Sequence, residues 1–208
     1  MKGLLLKDLY LVNKYCRSYL LIAVLFLAMS LFGDNNMFFV VYPCLFASLI
    51  PVTLLAYDER SKWEQFCGAL PYTKAQLVSA KYLVGLIIQC IMLLLTSAAQ
   101  AYRMIHAGTF QWGSYLTLLV ALLFMSGLVS SLALPLMFKL GTEKGRVAYY
   151  IMVGAVCGLS VAGVTIFRSE SALFMHSALV IPVMFVVTLV LYVVSWRVSI
   201  AFYQKREI

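Results

Sequence analysis

The chain has 208 residues, 63% of them hydrophobic and 12% charged, with a formal net charge of +8 at pH 7, whereas a soluble domain is roughly 45–50% apolar and about 25% charged. That balance excludes a water-soluble globular domain, and the apolar residues fall in runs of about twenty, the length a helix needs to cross roughly 30 Å of hydrocarbon. Segments such as LYLVNKYCRSYLLIAVLFLAM and IMLLLTSAAQ do not alternate apolar and polar residues, which excludes a β-barrel. The expected fold is therefore all-α, a polytopic membrane protein with six transmembrane helices in one domain over residues 1–208.

In chain order, MKGLLLKDLYLVNKYCRSY sets Leu4, Leu5, Tyr10, Leu11 and Tyr15 among Lys2, Lys7, Lys14 and Arg17. This is the pattern of a helix lying in the membrane interface, apolar side down and basic side toward headgroups. Residues 1–18 read as such an interfacial elbow helix, with a cytoplasmic extension of the first span as the competing reading. No cleavable signal peptide is expected, because mixed residues precede the first apolar run and no A-x-A site follows it.

The transmembrane criterion then places spans at Tyr19 to Gly33, Met37 to Tyr57, Leu77 to Ile105, Tyr115 to Phe138, Val147 to Phe167 and Ala178 to Phe202. The first is the shortest and borrows apolar length from the segment before it. Pro43, Pro51, Pro135 and Pro182 sit within spans, where proline serves either as a kink or as ordinary packing. In the third span, Gln89, Thr96, Gln100 and Arg103 lie near about 0°, −20°, +20° and −40° on a helical wheel, so they share one narrow face. Lipid offers such groups no partner. The face either lines a pathway or subunit contact or hydrogen-bonds between helices, and the sequence leaves both open. In the fifth span, Gly154 and Gly158 have the G-x-x-x-G spacing that lets helix backbones approach closely.

Orientation follows from the basic residues. Fourteen of the sixteen Lys and Arg fall on the side that also holds both termini, and only Arg103 and Arg168 fall on the other. The positive-inside bias puts both termini in the cytoplasm, and the basic rim faces anionic lipid. Nucleic acid is not needed as a partner.

Signals for catalysis are missing from the sequence. There is no H-E-x-x-H and no G-x-x-x-x-G-K-[ST]. Gly158–Ser160 (GLS) with His176 makes a poor protease pair, since nothing orients the histidine. His106, His176 and Glu170 are too scattered for a metal site, and the five cysteines form neither a CxxC pair nor a disulfide framework. The chain is expected to be no enzyme, to carry no cofactor and to bind no metal.

One stretch is of a different kind. YDERSKWEQFCGALPYTKAQLVSAKY, residues 57–82, holds three of the eight acids and four of the sixteen bases. Ser61 and Glu64 have capping-box spacing, Gly68 suits a helix end and Pro71 blocks resumption, so a short helix over Lys62 to Cys67 is expected; Thr73 and Gln76 repeat the cap at the foot of the third span. A helix this short is unstable alone. With Trp63 and Phe66 on one face it either dips into headgroups or docks on a cytoplasmic partner.

DERSKWEQFCGALPYTKAQLVSAKYL resembles the segment D-E-x-x-x-W-x-x-[FY]-x-x-x-L-P-x-[ST]-[KR]-x-x-[LIV]-V-x-x-K-Y of the membrane subunits of type-2 ABC exporters, and is most similar to the phenol-soluble modulin exporter permease group. The opening MKGLLLKDLYL and closing FYQKREI also match the ends of that group. The resemblance implies a coupling helix that binds a separate ATPase subunit through Asp58, Glu59, Lys62, Trp63, Glu64, Phe66, Leu70 and Pro71, leading into the third span with Lys81 and Tyr82. It also implies a second permease copy or a related permease, ATP and Mg held by the ATPase, and amphipathic peptides as cargo. A non-transporting membrane signalling or assembly protein that docks a cytoplasmic partner is the alternative.

Overall fold

A computed structural model describes residues 2–32, 37–67, 72–141, 143–145, 147, 150–151 and 180–205. Among these the chain is helical: α1 (Lys2–Tyr15), α2 (Arg17–Phe32), α3 (Met37–Arg60), α4 (Trp63–Cys67), α5 (Lys74–His106), α6 (Trp112–Leu140) and α7 (Val180–Lys205). Most of the fifth expected span, with Gly154, Gly158, Ser160, Glu170 and His176, lies outside the described residues.

Among the described residues four helices, α3, α5, α6 and α7, are long and apolar enough to cross a membrane, and α1 with α2 makes a fifth if the bent pair counts as one span. The 33 residues of α5 reach about 50 Å at 1.5 Å per residue, well beyond the roughly 30 Å hydrocarbon layer. Its foot, from Lys74 to about Tyr82, is therefore free to serve another purpose than spanning. By contrast α2 alone, with 16 residues, covers only about 24 Å. The first span does not gain length by continuing α1 straight. The two helices meet at 68°, with the backbone bonds Cys16 N to Val12 O and Leu20 N to Cys16 O carrying the chain around the corner.

That corner is pinned by packing. Val12, Cys16 and Ala23 bury against Ile50 and Leu54 of α3 and against Val84 and Ile88 of α5. A second cluster joins Val78 and Tyr82 of α5 to Leu134 and Phe138 of α6 and Tyr203 of α7. The outer faces stay apolar and exposed, as with Leu94 of α5 and Val186, Val190 and Val193 of α7, as a lipid-solvated bundle requires.

Among the described residues, two glycines stand where neighbouring helices approach closely. A Cβ on Gly85 would stand 2.8 Å from Pro51 Cγ, and one on Gly127 would stand 2.6 Å from Thr188 Cγ2. These contacts set α3 on α5 and α6 on α7. Pro51 thus has a packing role, and α3 and α6 run as helices through Pro43, Pro51 and Pro135. Pro182 lies within α7 (Val180–Lys205).

Candidate functional site at the α3–α5 junction

The charged stretch folds as two caps around one short helix. At the end of α3, Ser61 N donates to Tyr57 O and Lys62 N to Glu59 O, and Lys62 takes a left-handed backbone with φ 53°, which turns the chain out of the helix. Ser61 Oγ donates to Asp58 O at 3.1 Å, which closes the last turn of α3; the Ser61–Glu64 box expected from spacing rests on a Glu64 side chain outside the described residues. The second cap forms as expected. Thr73 Oγ1 accepts from Gln76 N, and Gln76 Oε1 accepts from Thr73 N, which satisfies two of the orphan donors at the start of α5.

Between the caps sits a buried ring of alternating charge. Lys81 Nζ of α5 lies 2.7 Å from Asp8 Oδ1 of α1 and 2.5 Å from Asp58 Oδ2 of α3. Lys7 Nζ lies 2.7 Å from Asp58 Oδ1 and 3.4 Å from Asp8 Oδ1. Two cations and two anions cancel, and Asp8, Asp58 and Lys81 are all buried, so the ring carries four charges at low dielectric without a net one. Such a cluster is close to break-even in stability as a whole, yet removal of a single member strands a charge and costs about 3–5 kcal/mol. A cavity of about 30 Å³ adjoins it, lined by Leu4, Trp63, Leu77, Ala80 and Tyr203 among others. That is room for about one water and far too little for a transported molecule.

Lys7 has a second contact, because its ammonium stands 4.0 Å from the centroid of the Trp63 ring. Trp63 is consequently not the exposed anchor that its sequence setting suggests. It is half-buried, held against α1 by a cation–π contact that is stronger where water is excluded. Phe66, expected on the same face, points out and is 65% exposed. The short helix therefore has a tied end and a presented end.

The described residues thus form an all-helical, span-rich chain with a short helix tied beneath the junction of α3 and α5. The family described as ABC-2 family transporter protein matches residues 3–204, almost the whole chain. The chain belongs to the ABC-2 transporter family. It is a membrane permease of that type, in a family whose members are not typically catalytic themselves. No match is found among curated proteins or solved structures.

The residues implied by the resemblance divide by position in this permease. Asp58 is inside the ring, Trp63 against its edge, and Lys62 and Phe66 at the surface. Glu59 and Arg60 also line an open cleft of about 500 Å³ whose other wall is Leu140, Gly141, Glu143 and Lys144. Leu70, Pro71, Gly68 and the side chain of Glu64 lie outside the description. The sequence reading passed over Asp8. Its signal was present, since Leu4, Asp8 and Val12 fall on one face and are the buried residues of α1; an acid on the apolar face of a basic helix calls for a buried cation.

Lys81 and Tyr82, adjacent on α5, face opposite partners. Tyr82 Oη lies 2.7 Å from both Ser195 Oγ and Ser199 Oγ of α7, and its ring stacks on Trp196 at 5.8 Å. Tyr192 Oη donates to Tyr82 O at 2.8 Å, Trp196 Nε1 to Ser79 Oγ at 3.1 Å, and Ser195 Oγ to Ser131 O at 2.7 Å. One turn of α5 is thus keyed to α1 and α3 by charge, to α7 by hydroxyls and rings, and to α6 by apolar packing. Farther along, the polar face seen in the sequence turns into the bundle. Gln89 Nε2 donates to Ser126 Oγ of α6. Thr96 donates to Met92 O and touches Cys44 Sγ of α3 at 3.7 Å. Gln100 is fully buried, and neither amide atom has a partner among the described residues. Arg103 is half-buried near the far end of α5. Among the described residues, no cluster of His, Cys, Asp and Glu is arranged to hold a metal ion.

Proposed function

We propose that the permease is half of an ATP-driven exporter in a bacterial cell membrane, with both termini cytoplasmic and the segment 58–76 docking a separate ATPase subunit that holds ATP and Mg. Two such permeases, identical or related, would enclose the pathway. Amphipathic peptides are the proposed cargo, on the strength of the resemblance to modulin exporters and because such peptides arrive already partitioned into the inner leaflet.

The observation that carries this reading is the division of α4 between Trp63, clasped by Lys7, and Phe66, presented outward beside the exposed Lys62. A lone exposed aromatic on a five-residue helix gains little by itself, yet on a tied helix it is preorganised for a pocket in a partner, as interface anchors are. Glu64 and Lys62 would set its register by charge.

The test is co-purification with the cognate ATP-binding-cassette subunit. Lys62→Glu with Phe66→Ala should lower the recovered ATPase at least about tenfold, a loss of about 1.4 kcal/mol, with unchanged membrane abundance. Recovery at the unaltered level would overturn the docking assignment. Separately, an amphipathic helical peptide added to the reconstituted complex should raise ATP turnover, and indifference to every such peptide would favour the signalling alternative.

A further inference from the structure

The ring joins positions that the chain keeps far apart: residues 7 and 8, residue 58 and residue 81. The α4 segment is covalently continuous only with α3 before it and α5 after it, yet through Lys7, which touches both Asp58 and the Trp63 ring, it is also attached to α1. Both carboxylate oxygens of Asp58 are engaged, Oδ1 by Lys7 and Oδ2 by Lys81. Asp8 in turn bridges the same two cations. Apolar contact alone is non-directional and lets helices slide, whereas a satisfied buried polar network fixes one arrangement. Asp8 and Lys81 are buried, whereas Phe66 is exposed, so a protein docked on Phe66 does not reach them.

We propose that Asp8 and Lys81 are positioning residues for energy coupling: they lock α1 and the foot of α5 to the docking segment, so that a displacement of α4 moves α1, the end of α3 and α5 as one body. This rests on the reading of α4 as the ATPase dock, and it assigns these two residues to transmission, with docking left to the surface. Tyr82 then carries the same motion onto α7, since it occupies the next position on α5 and holds Ser195 and Ser199.

The experiment uses the permease with its ATP-binding-cassette subunit in phosphatidylglycerol-containing vesicles, with native cysteines replaced and spin labels on exposed Tyr10 of α1 and Lys74 at the start of α5. A second labelled pair is Arg60 and Leu140. With the ring intact, the Tyr10–Lys74 distance stays the same between nucleotide-free and ATP–Mg–vanadate-trapped states, while the Arg60–Leu140 distance changes. In the neutral pair variant Asp8→Asn with Lys81→Gln, which keeps hydrogen-bonding groups at both positions and leaves Lys7–Asp58 between α1 and α3, ATPase recovery stays within about twofold. Trapping then shifts the Tyr10–Lys74 distance by at least about 2 Å, the scale of helix displacement in switching proteins. Lys81→Arg, which keeps the cation, restores the fixed distance. A fixed distance in the neutral pair variant, a moving one with the ring intact, or loss of ATPase binding in that variant each overturns the proposal. Failure of the unaltered permease to bind the ATPase at all would instead sink the underlying docking assignment, and it is seen before any trapping.

Discussion

The two ends of α5 handle buried polarity in opposite ways. At its foot, Lys81 has two carboxylates and Tyr82 two hydroxyls, all within 2.7 Å. Less than two turns from the far end, Gln100 is as deeply buried with no partner among the described residues. A fully satisfied network holds one geometry against alternatives, and an unsatisfied amide leaves a local preference for a different one. The contrast sets a foot keyed by charge and hydroxyls beside α4 against a far end whose buried amide is unpaired among the described residues.

The strongest way to break that comparison is Lys81→Met. It leaves Asp8 and Asp58 facing each other with Lys7 as their one shared cation, and the expected destabilisation is about 3–5 kcal/mol, read as a lowered unfolding midpoint in detergent or bicelles. Adding Asp8→Asn should recover much of the loss, because the remaining Lys7–Asp58 pair is again neutral; the two changes are in contact and will not be additive. Full additivity would mean that the ring is not an electrostatic unit.

Next in size comes Gly85→Ala. The new methyl would stand 2.8 Å from the Pro51 ring, which cannot rotate away, so α3 and α5 must part at a cost of about 1–3 kcal/mol. A cost near zero in the same unfolding assay would show that this crossing is loose. Tyr82→Phe should cost about 1 kcal/mol. It removes two short hydrogen bonds but leaves the stack on Trp196 and leaves Ser195 bonded to Ser131 O, and net hydrogen-bond contributions are of that order.

How much of this was legible in the sequence depends on what each feature needs. The Thr73–Gln76 cap is local and reads directly from spacing, as do the long apolar helices. The same spacing argument did not reveal that Ser61 Oγ donates to Asp58 O, because a hydroxyl near a helix end can close the helix before it as well as cap the one after it. The sharing of one aromatic face by Trp63 and Phe66 also follows from spacing, but the division between them does not, since it depends on Lys7 arriving from fifty-six residues away. Asp8 could have been found from its place on the apolar face of α1. Gly85 and Gly127 could not, because the residues they admit, Pro51 and Thr188, are on other helices and no repeat in the chain records the pairing.

The smallest effect is the most diagnostic of the contrast along α5. Gln100→Leu replaces an amide of similar size that has no partner among the described residues with a side chain that asks for none. The expected change is neutral to stabilising by about 1 kcal/mol, since an unsatisfied buried amide carries a desolvation penalty of about 1–3 kcal/mol and leucine keeps the volume. Gln89→Leu provides the opposite case on the same helix face, because Gln89 already donates to Ser126 and its loss should destabilise by about 0.6 kcal/mol, a typical interhelical value. If both substitutions move the unfolding midpoint down, Gln100 has a partner in the membrane, and the two ends of α5 differ in what satisfies them rather than in whether they are satisfied. If Gln100→Leu raises the midpoint yet lowers ATP turnover in the assembled exporter, the unpaired amide is retained for a state in which it finds a partner, and the far end of α5 is where that state differs.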